Sequence, residues 1–344
     1  MIKGYFTEKK NIASTVMALL HWVITFFSDR LVFDALPGSG LLKADENVNY
    51  AICKAALLVL LVYLWKLIAD IISDVRNLRH GADAAETGTC VTGAKSRRID
   101  LDSLPARLQV AFYSAVYFLP IIGVLVFKLP QGFLSNDETL IFAEAAALHT
   151  YTWFYYLTTY YYIVTMMLIP CWLGPILVKV FIQLVVCGYC VYRLRKYWKD
   201  RFAYGIYIAF LLPPVLAYTT SAHRIPVYYL LYLLLFFIMV MDRLEKAEPT
   251  KHRLFWIMVC GAVLTQWRTE GVYMAGLLPI LIFLTYPSLV KDKKKILVVI
   301  AASLAVQYLT TVPQTGFVAN RLGDQADNRM GPFWAYTVTN MYRN

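Results

Sequence analysis

The side chains able to do chemistry in this chain sit in four short polar interruptions of otherwise apolar sequence. The first is Ser135-Asn136-Asp137-Glu138, followed by Glu144. Asp137 and Glu144 are seven residues apart, which on a helix brings both carboxylates to one face. A paired acidic face at a membrane surface can bind a cation or act as a base. The second is His223-Arg224, directly before Ile225-Pro226. Proline suits the first turn of a helix, so both cations would meet the helix's positive end, which is unfavourable unless an anion sits there too. A lipid phosphate would supply that anion, and ordinary headgroups serve as well as a substrate. The third is Trp267-Arg268-Thr269-Glu270-Gly271, where charge interrupts an apolar run at roughly 2.5–3.5 kcal/mol per charged residue if it reaches the bilayer centre. The fourth is Lys179, a cation within an apolar stretch, which either snorkels or faces the same cavity.

Each group also has a local explanation. Ser135-x-x-Glu138 fits a capping box, with Asp137 near the positive end of a helix running through Glu144. The 267–271 stretch reads equally as a tight turn between two helices, with Gly271 relieving the backbone and Arg268 snorkelling to headgroups. Lys66 and Asp70, one helical turn apart, read as a structural pair. Cys187 and Cys190 form a CxxC, but inside an apolar helix they read as two small packing residues. Cys53, Cys90, Cys171 and Cys260 complete the six cysteines, and no histidine stands at metal-ligand spacing from them.

Composition sets the class of molecule that must position these groups. With 344 residues, 59% hydrophobic and only 16% charged, and a mean hydropathy of +0.54, the chain could not bury its apolar side chains in one soluble core. An all-α, polytopic helical bundle follows. The net charge of +11 would suggest nucleic acid in a soluble protein, but here the cations cluster in short loops, where they set topology. No nucleic-acid partner is expected. The apolar run from Asn11 lacks a small-residue cleavage site and reads as a first anchor.

A spanning helix needs about 20 apolar residues. Nine crossings are expected, at 11–27, 50–72, 108–127, 172–191, 202–218, 225–241, 254–266, 272–284 and 296–311. With the N-terminus in the cytoplasm, as Lys3, Lys9 and Lys10 favour, the basic stretches 76–107, 193–201, 243–253 and 291–295 all fall inside. The apolar segment 153–169 could be a tenth crossing, but it would flip every later loop and expose Arg193, Arg195, Lys196, Lys199 and Arg201. It is therefore expected to lie on the outer face as an interfacial or re-entrant helix, which its Trp153 and five tyrosines would suit. The outer face then collects Asp137, Glu138, His223, Arg224, Arg268 and Glu270. No internal repeat of the transporter kind is visible.

The order of Phe133-Leu134-Ser135-Asn136-Asp137-Glu138, then surface helices, then His223-Arg224-Ile225-Pro226, then Arg268-Thr269-Glu270-Gly271 resembles the C-type glycosyltransferase superfamily, in particular the protein O-mannosyltransferases and the aminoarabinose transferases of lipid A. The resemblance covers roughly 108–311. It implies an essential acid in the first outer loop and a donor sugar carried on a polyprenyl phosphate or pyrophosphate. The implied organisation is a two-helix extension with a basic cytoplasmic loop (1–107), a transmembrane core with an acidic outer loop at 129–152 (108–311), and an outer-face segment (312–344). Members usually begin with one helix and continue beyond the point where this chain ends, so it would be a short or truncated member.

On this resemblance a hexosyl- or pentosyltransferase acts on the outer face of a bacterial plasma membrane in cell-envelope glycan or glycolipid modification. The phosphate would be held by Arg268 with help from Arg224 or His223, with Glu270 and Lys179 as further substrate-binding groups. Asp137 would accept the proton of the acceptor hydroxyl in an inverting displacement. Glu138 would orient the acceptor, a glycan, lipid or protein, or join Asp137 in holding a divalent cation if one is needed. Glu144 would stand behind them. Two alternatives use the same residues: a transporter or flippase of lipid-linked sugars, and a non-catalytic subunit of envelope assembly.

Overall fold

The computed structural model describes residues 9–86, 101–128, 136–150, 155–198 and 201–313. Among them the chain is all-helical: α1 (Lys9–Ser28), α2 (Ala44–Glu86), α3 (Ala106–Lys128), α4 (Asn136–Ala146), α5 (Tyr156–Leu168), α6 (Gly174–Trp198), α7 (Gly205–Phe210), α8 (Pro213–Thr219), α9 (Ile225–Leu244), α10 (Lys251–Thr265), α11 (Met274–Thr285) and α12 (Lys293–Val312), with short 3-10 turns between some of them.

Six of these helices (α1, α2, α3, α6, α9 and α12) are long and apolar enough to cross a bilayer, which makes this a multi-pass membrane protein. A seventh span is formed if Arg201–Phe210 and Pro213–Thr219, bent by 60°, count as one. The bend follows from Pro213 and Pro214, which cannot continue the preceding helix but suit the first turn of the next. The expected crossings at 254–266 and 272–284 are both helical. However, α10 has 15 residues and α11 has 12, about 22 and 18 Å at 1.5 Å per residue. Neither matches the ~30 Å of hydrocarbon by itself.

The helices are grouped in two compact units, each assembled from separated stretches of chain: 1–32, 50–133 and 166–220 in the first, 33–49, 134–165 and 221–344 in the second. In the first unit α3 packs closely on α6. A Cβ at Gly188 would lie 2.7 Å from the Val110 carbonyl oxygen and 2.8 Å from the Ser114 nitrogen, so only glycine permits that approach. Gln183 donates to the Tyr117 hydroxyl, which donates to the Phe210 carbonyl at 2.7 Å. Cys187 and Cys190 are fully buried here as packing residues.

Also in the first unit, Asp70 pairs with Lys10 at 3.2 Å and with Arg107, so it ties α1 and α3 to α2. The sequence had suggested only a Lys66 partner. A second ion pair was not anticipated. Lys54 and Asp29, both almost wholly buried, meet at 2.7 Å between α2 and the end of α1.

The second unit is built on a core of Tyr228, Leu235, Met258, Leu264 and Leu278 from α9, α10 and α11, with Trp267 and Tyr286 just past the ends of α10 and α11. Its polar anchor is Asp242, fully buried near the end of α9, which accepts from the Tyr286 hydroxyl and pairs with Arg253 at 3.1 Å.

The segment expected as an interfacial or re-entrant helix forms α5, whose Tyr156, Tyr162, Ile163, Met166 and Met167 are buried, which does not fit the interfacial alternative. At 13 residues it is too short to cross. Its tyrosine hydroxyls bind protein rather than headgroups: Tyr156 donates to the Thr310 carbonyl at 2.7 Å and Tyr160 to Asn49 at 2.8 Å.

Candidate functional site

In the second unit, α4 carries Glu138 in its first turn, and its side chain is only 2% exposed. Its Oε1 lies 3.1 Å from Nδ1 of His223. The imidazole remains 29% exposed. His223 and Arg224 end the short turn before α9, with Pro226 in that helix's first turn. The sequence left two cations facing a positive helix end with an anion required to relieve them. The structure places the Glu138 carboxylate beside His223, so at least part of that anion is built into the protein.

Helix α5 braces this arrangement. The Tyr162 hydroxyl donates to the Ala222 carbonyl, fixing the turn that carries His223. One helical turn earlier, Thr158 donates to the Trp267 carbonyl at 3.0 Å, and the Trp267 indole donates to the Arg224 carbonyl at 3.4 Å. The Tyr161 ring packs 5.5 Å from Trp267, and Tyr162 meets Phe142 of α4 edge-on at 4.9 Å. Thr158 and Tyr162 are four residues apart, hence on one helical face. That face gathers 222–224 and the 267–268 break, while the Phe142 contact reaches α4, which carries Glu138. The Tyr162 phenol is pushed well above its usual range by burial and then by the Glu138 charge, with Arg224 pulling the other way. It therefore remains a protonated donor.

The far end of α4 is pinned as well. His149 N–H bonds the Glu144 carbonyl at 2.8 Å and Leu148 N–H the Ala145 carbonyl at 3.0 Å. Leu148 stands at φ 58°. This is a Schellman closure with leucine where glycine is usual. The left-handed backbone costs about 1–2 kcal/mol, offset by burying Leu148 completely, about 1.5–3 kcal/mol. The Leu148 carbonyl accepts from Asn49 at 3.0 Å, and Asp34 N–H bonds the Ala146 carbonyl at 3.1 Å.

The remaining expected site residues divide as follows. Glu144, thought to stand behind Asp137, binds His149 at the other end of α4. Arg268 is half-buried in extended backbone next to Trp267. Lys179 does not snorkel; it is 2% exposed in the first unit and donates to the Tyr218 carbonyl at 3.2 Å. The side chains of Asp137 and Glu270 lie outside the described residues, as do Ser135 and all but the first two residues of the 312–344 segment. Among the described residues no three His, Cys, Asp or Glu side chains group as a metal site would require.

Sequence reasoning missed Thr158 and did not see that Tyr162 and Trp267 hold the site together. For Thr158 and Tyr162 a signal was available: hydroxyls four apart in an apolar helix too short to span need buried acceptors. Tyr162→Phe is expected to lower stability by about 1–3 kcal/mol, because the buried Ala222 carbonyl loses its donor. The thermal unfolding midpoint in detergent reads this, and an unchanged midpoint would show that the turn is held by other contacts.

No protein-family model matches this chain, and neither a curated protein nor a solved structure matches it.

Proposed function

We propose that this protein is a membrane glycosyltransferase that moves a sugar from a polyprenyl-phosphate carrier to an acceptor hydroxyl at the outer membrane face. The observation carrying this reading is the meeting in one unit of Glu138, His223 and the Arg224 turn, with the Arg268 break hydrogen-bonded against that turn. A carboxylate–imidazole pair beside arginines suits a reaction that takes a proton from a hydroxyl while a phosphate leaves. Arginine suits the phosphate because its planar fork makes two charge-assisted bonds.

The outer placement rests on the basic loops falling on one side with the N-terminus in the cytoplasm. The short helices α10 and α11 do not disturb this count. They follow one another, so whether they cross or turn back together, the loops on either side keep their sidedness. The lipid tail would lie along the apolar helices, with the sugar and phosphate at the polar cluster.

The test is transfer of labelled sugar from undecaprenyl-phosphate donors in reconstituted vesicles. Turnover by the wild-type chain is expected. Arg268→Ala is expected to weaken donor binding roughly 10- to 150-fold, the loss of about 1.5–3 kcal/mol for a hydrogen bond to a charged group. Labelled lipid crossing the bilayer with no sugar transferred would replace this reading with a flippase. Neither activity would leave a non-catalytic envelope subunit.

A further inference from the structure

We infer that His223 is the proton acceptor in this transfer, with Glu138 as its positioning residue; the inference rests on the glycosyltransferase reading. Burial decides between the two. The Glu138 side chain is 2% exposed, so an acceptor hydroxyl on a glycan, lipid or protein cannot reach it without opening the site. The imidazole is 29% exposed and is the member of the pair a substrate can touch.

The pairing also sets which nitrogen is basic. Glu138 Oε1 lies at Nδ1, and a carboxylate there accepts the Nδ1–H, which places the imidazole lone pair on Nε2. The ring is held by two devices. Glu138 fixes its orientation from α4, and Tyr162 fixes the backbone beside it through the Ala222 carbonyl.

In the reaction the acceptor O–H proton passes to Nε2 as the oxygen bonds the anomeric carbon. The bond from that carbon to the phosphate oxygen breaks, and its electron pair leaves with the phosphate. The imidazolium that forms faces the Glu138 carboxylate, so a buried acid that was a cost before the step stabilises its product. The resulting proton is then lost to water through the exposed edge of the ring. Among the described residues Arg224 in the same turn, Tyr162 on α5 and Arg268 in the break bonded to the turn also belong to this cluster. The arginine charges disfavour the imidazolium and the Glu138 carboxylate favours it.

The experiment compares purified full-length variants in vesicles of total envelope lipid, using labelled hexose and pentose on undecaprenyl phosphate. His223→Gln is expected to lower kcat by about 10²- to 10⁴-fold with donor KM little changed. In His223→Ala, added imidazole restores rate. Glu138→Gln is expected to lower kcat by up to about 10⁴-fold, as for the carboxylate that orients a general-base imidazole in a catalytic triad. Donor KM stays unchanged and Glu138→Asp recovers part of the lost kcat, whereas a purely structural Glu138 would lower kcat and donor affinity together. Retained kcat in His223→Gln together with abolition by Asp137→Asn would overturn the inference in favour of Asp137. A raised donor KM with unchanged kcat would make His223 a phosphate ligand. No turnover by the wild-type chain on any donor would instead defeat the glycosyltransferase reading itself, and the inference with it.

Discussion

Lys54→Met is expected to destabilise the protein by roughly 3–5 kcal/mol, the usual result of removing one partner from a buried ion pair. Lys54 is 3% exposed and Asp29 is fully buried. The ammonium lies 2.7 Å from Asp29 Oδ2 and 2.7 Å from the Thr25 hydroxyl, and it sits over the Phe26 ring at 4.4 Å. The Tyr50 hydroxyl donates to the same Oδ2, while Oδ1 is buried with no hydrogen-bond partner among the described residues. Methionine fills the volume of the lysine stem but leaves the carboxylate with one donor in an apolar surrounding. The cost is electrostatic, so it should be largely relieved by Asp29→Asn in the same chain. Thermal or denaturant unfolding in detergent, run on both singles and the double, measures the coupling. Equal midpoints for wild type and Lys54→Met would mean the pair is solvated and unimportant. The pair joins the end of α1 to α2, so loosening of the N-terminal hairpin should precede loss of the rest.

This pair marks where the sequence stops being readable. A cation inside an apolar run demands a partner, a signal that Lys54 within the expected 50–72 crossing carries but that was not read. Nothing in the linear order named Asp29, 25 residues away and just past another helix. The helices themselves were legible because proline, glycine and cation clusters bound their apolar runs. The expected 225–241 crossing is α9 (Ile225–Leu244), and 172–191 is α6 (Gly174–Trp198). The bend near Pro213-Pro214 was not read from the sequence, where 202–218 was expected as one crossing, although two prolines inside it carry the signal.

Segment 153–169 was left between an interfacial and a re-entrant reading for a physical reason. Tyrosines suit a membrane interface and a buried helix with carbonyl acceptors equally well, and only tertiary contacts such as Tyr162 to Ala222 choose between them. The interleaving of the two units was equally hidden, since neither is continuous in sequence. Of the candidate site, the polar residues themselves stood out against their apolar flanks. Their pairing did not. Glu138 read as a helix cap and His223 as a ligand for an outside anion, because a sequence shows charges without showing which of them face each other.

Gly271→Ala should produce the other large effect, and through the site rather than through charge. Its φ is outside the left-handed region, so the glycine is not there for backbone freedom as the sequence suggested. It is there for space. A Cβ at this position would fall against the Leu264 carbonyl oxygen, 2.8 Å from the Leu264 carbonyl carbon and 2.9 Å from Thr265 Cα. All three atoms are backbone, so no side chain can swing aside, and the 269–273 turn must lift from the end of α10. Overpacking of this kind costs about 1–3 kcal/mol. The lift also carries Trp267 and Arg268 with it, since the Gly271 N–H is bonded to the Arg268 carbonyl at 3.0 Å. Trp267 then loses its hold on the Arg224 carbonyl and on Thr158. The expected result is a lower unfolding midpoint together with weakened donor binding, although position 271 has no side chain to offer a ligand. Gly276→Ala is the matched control, because a Cβ there meets no atom within 4 Å. If Gly271→Ala lowers the midpoint but leaves donor affinity intact, the break is a packing device and Arg268 does not hold phosphate. If both fall together while Gly276→Ala changes neither, the same turn that closes α10 also sets the arginine.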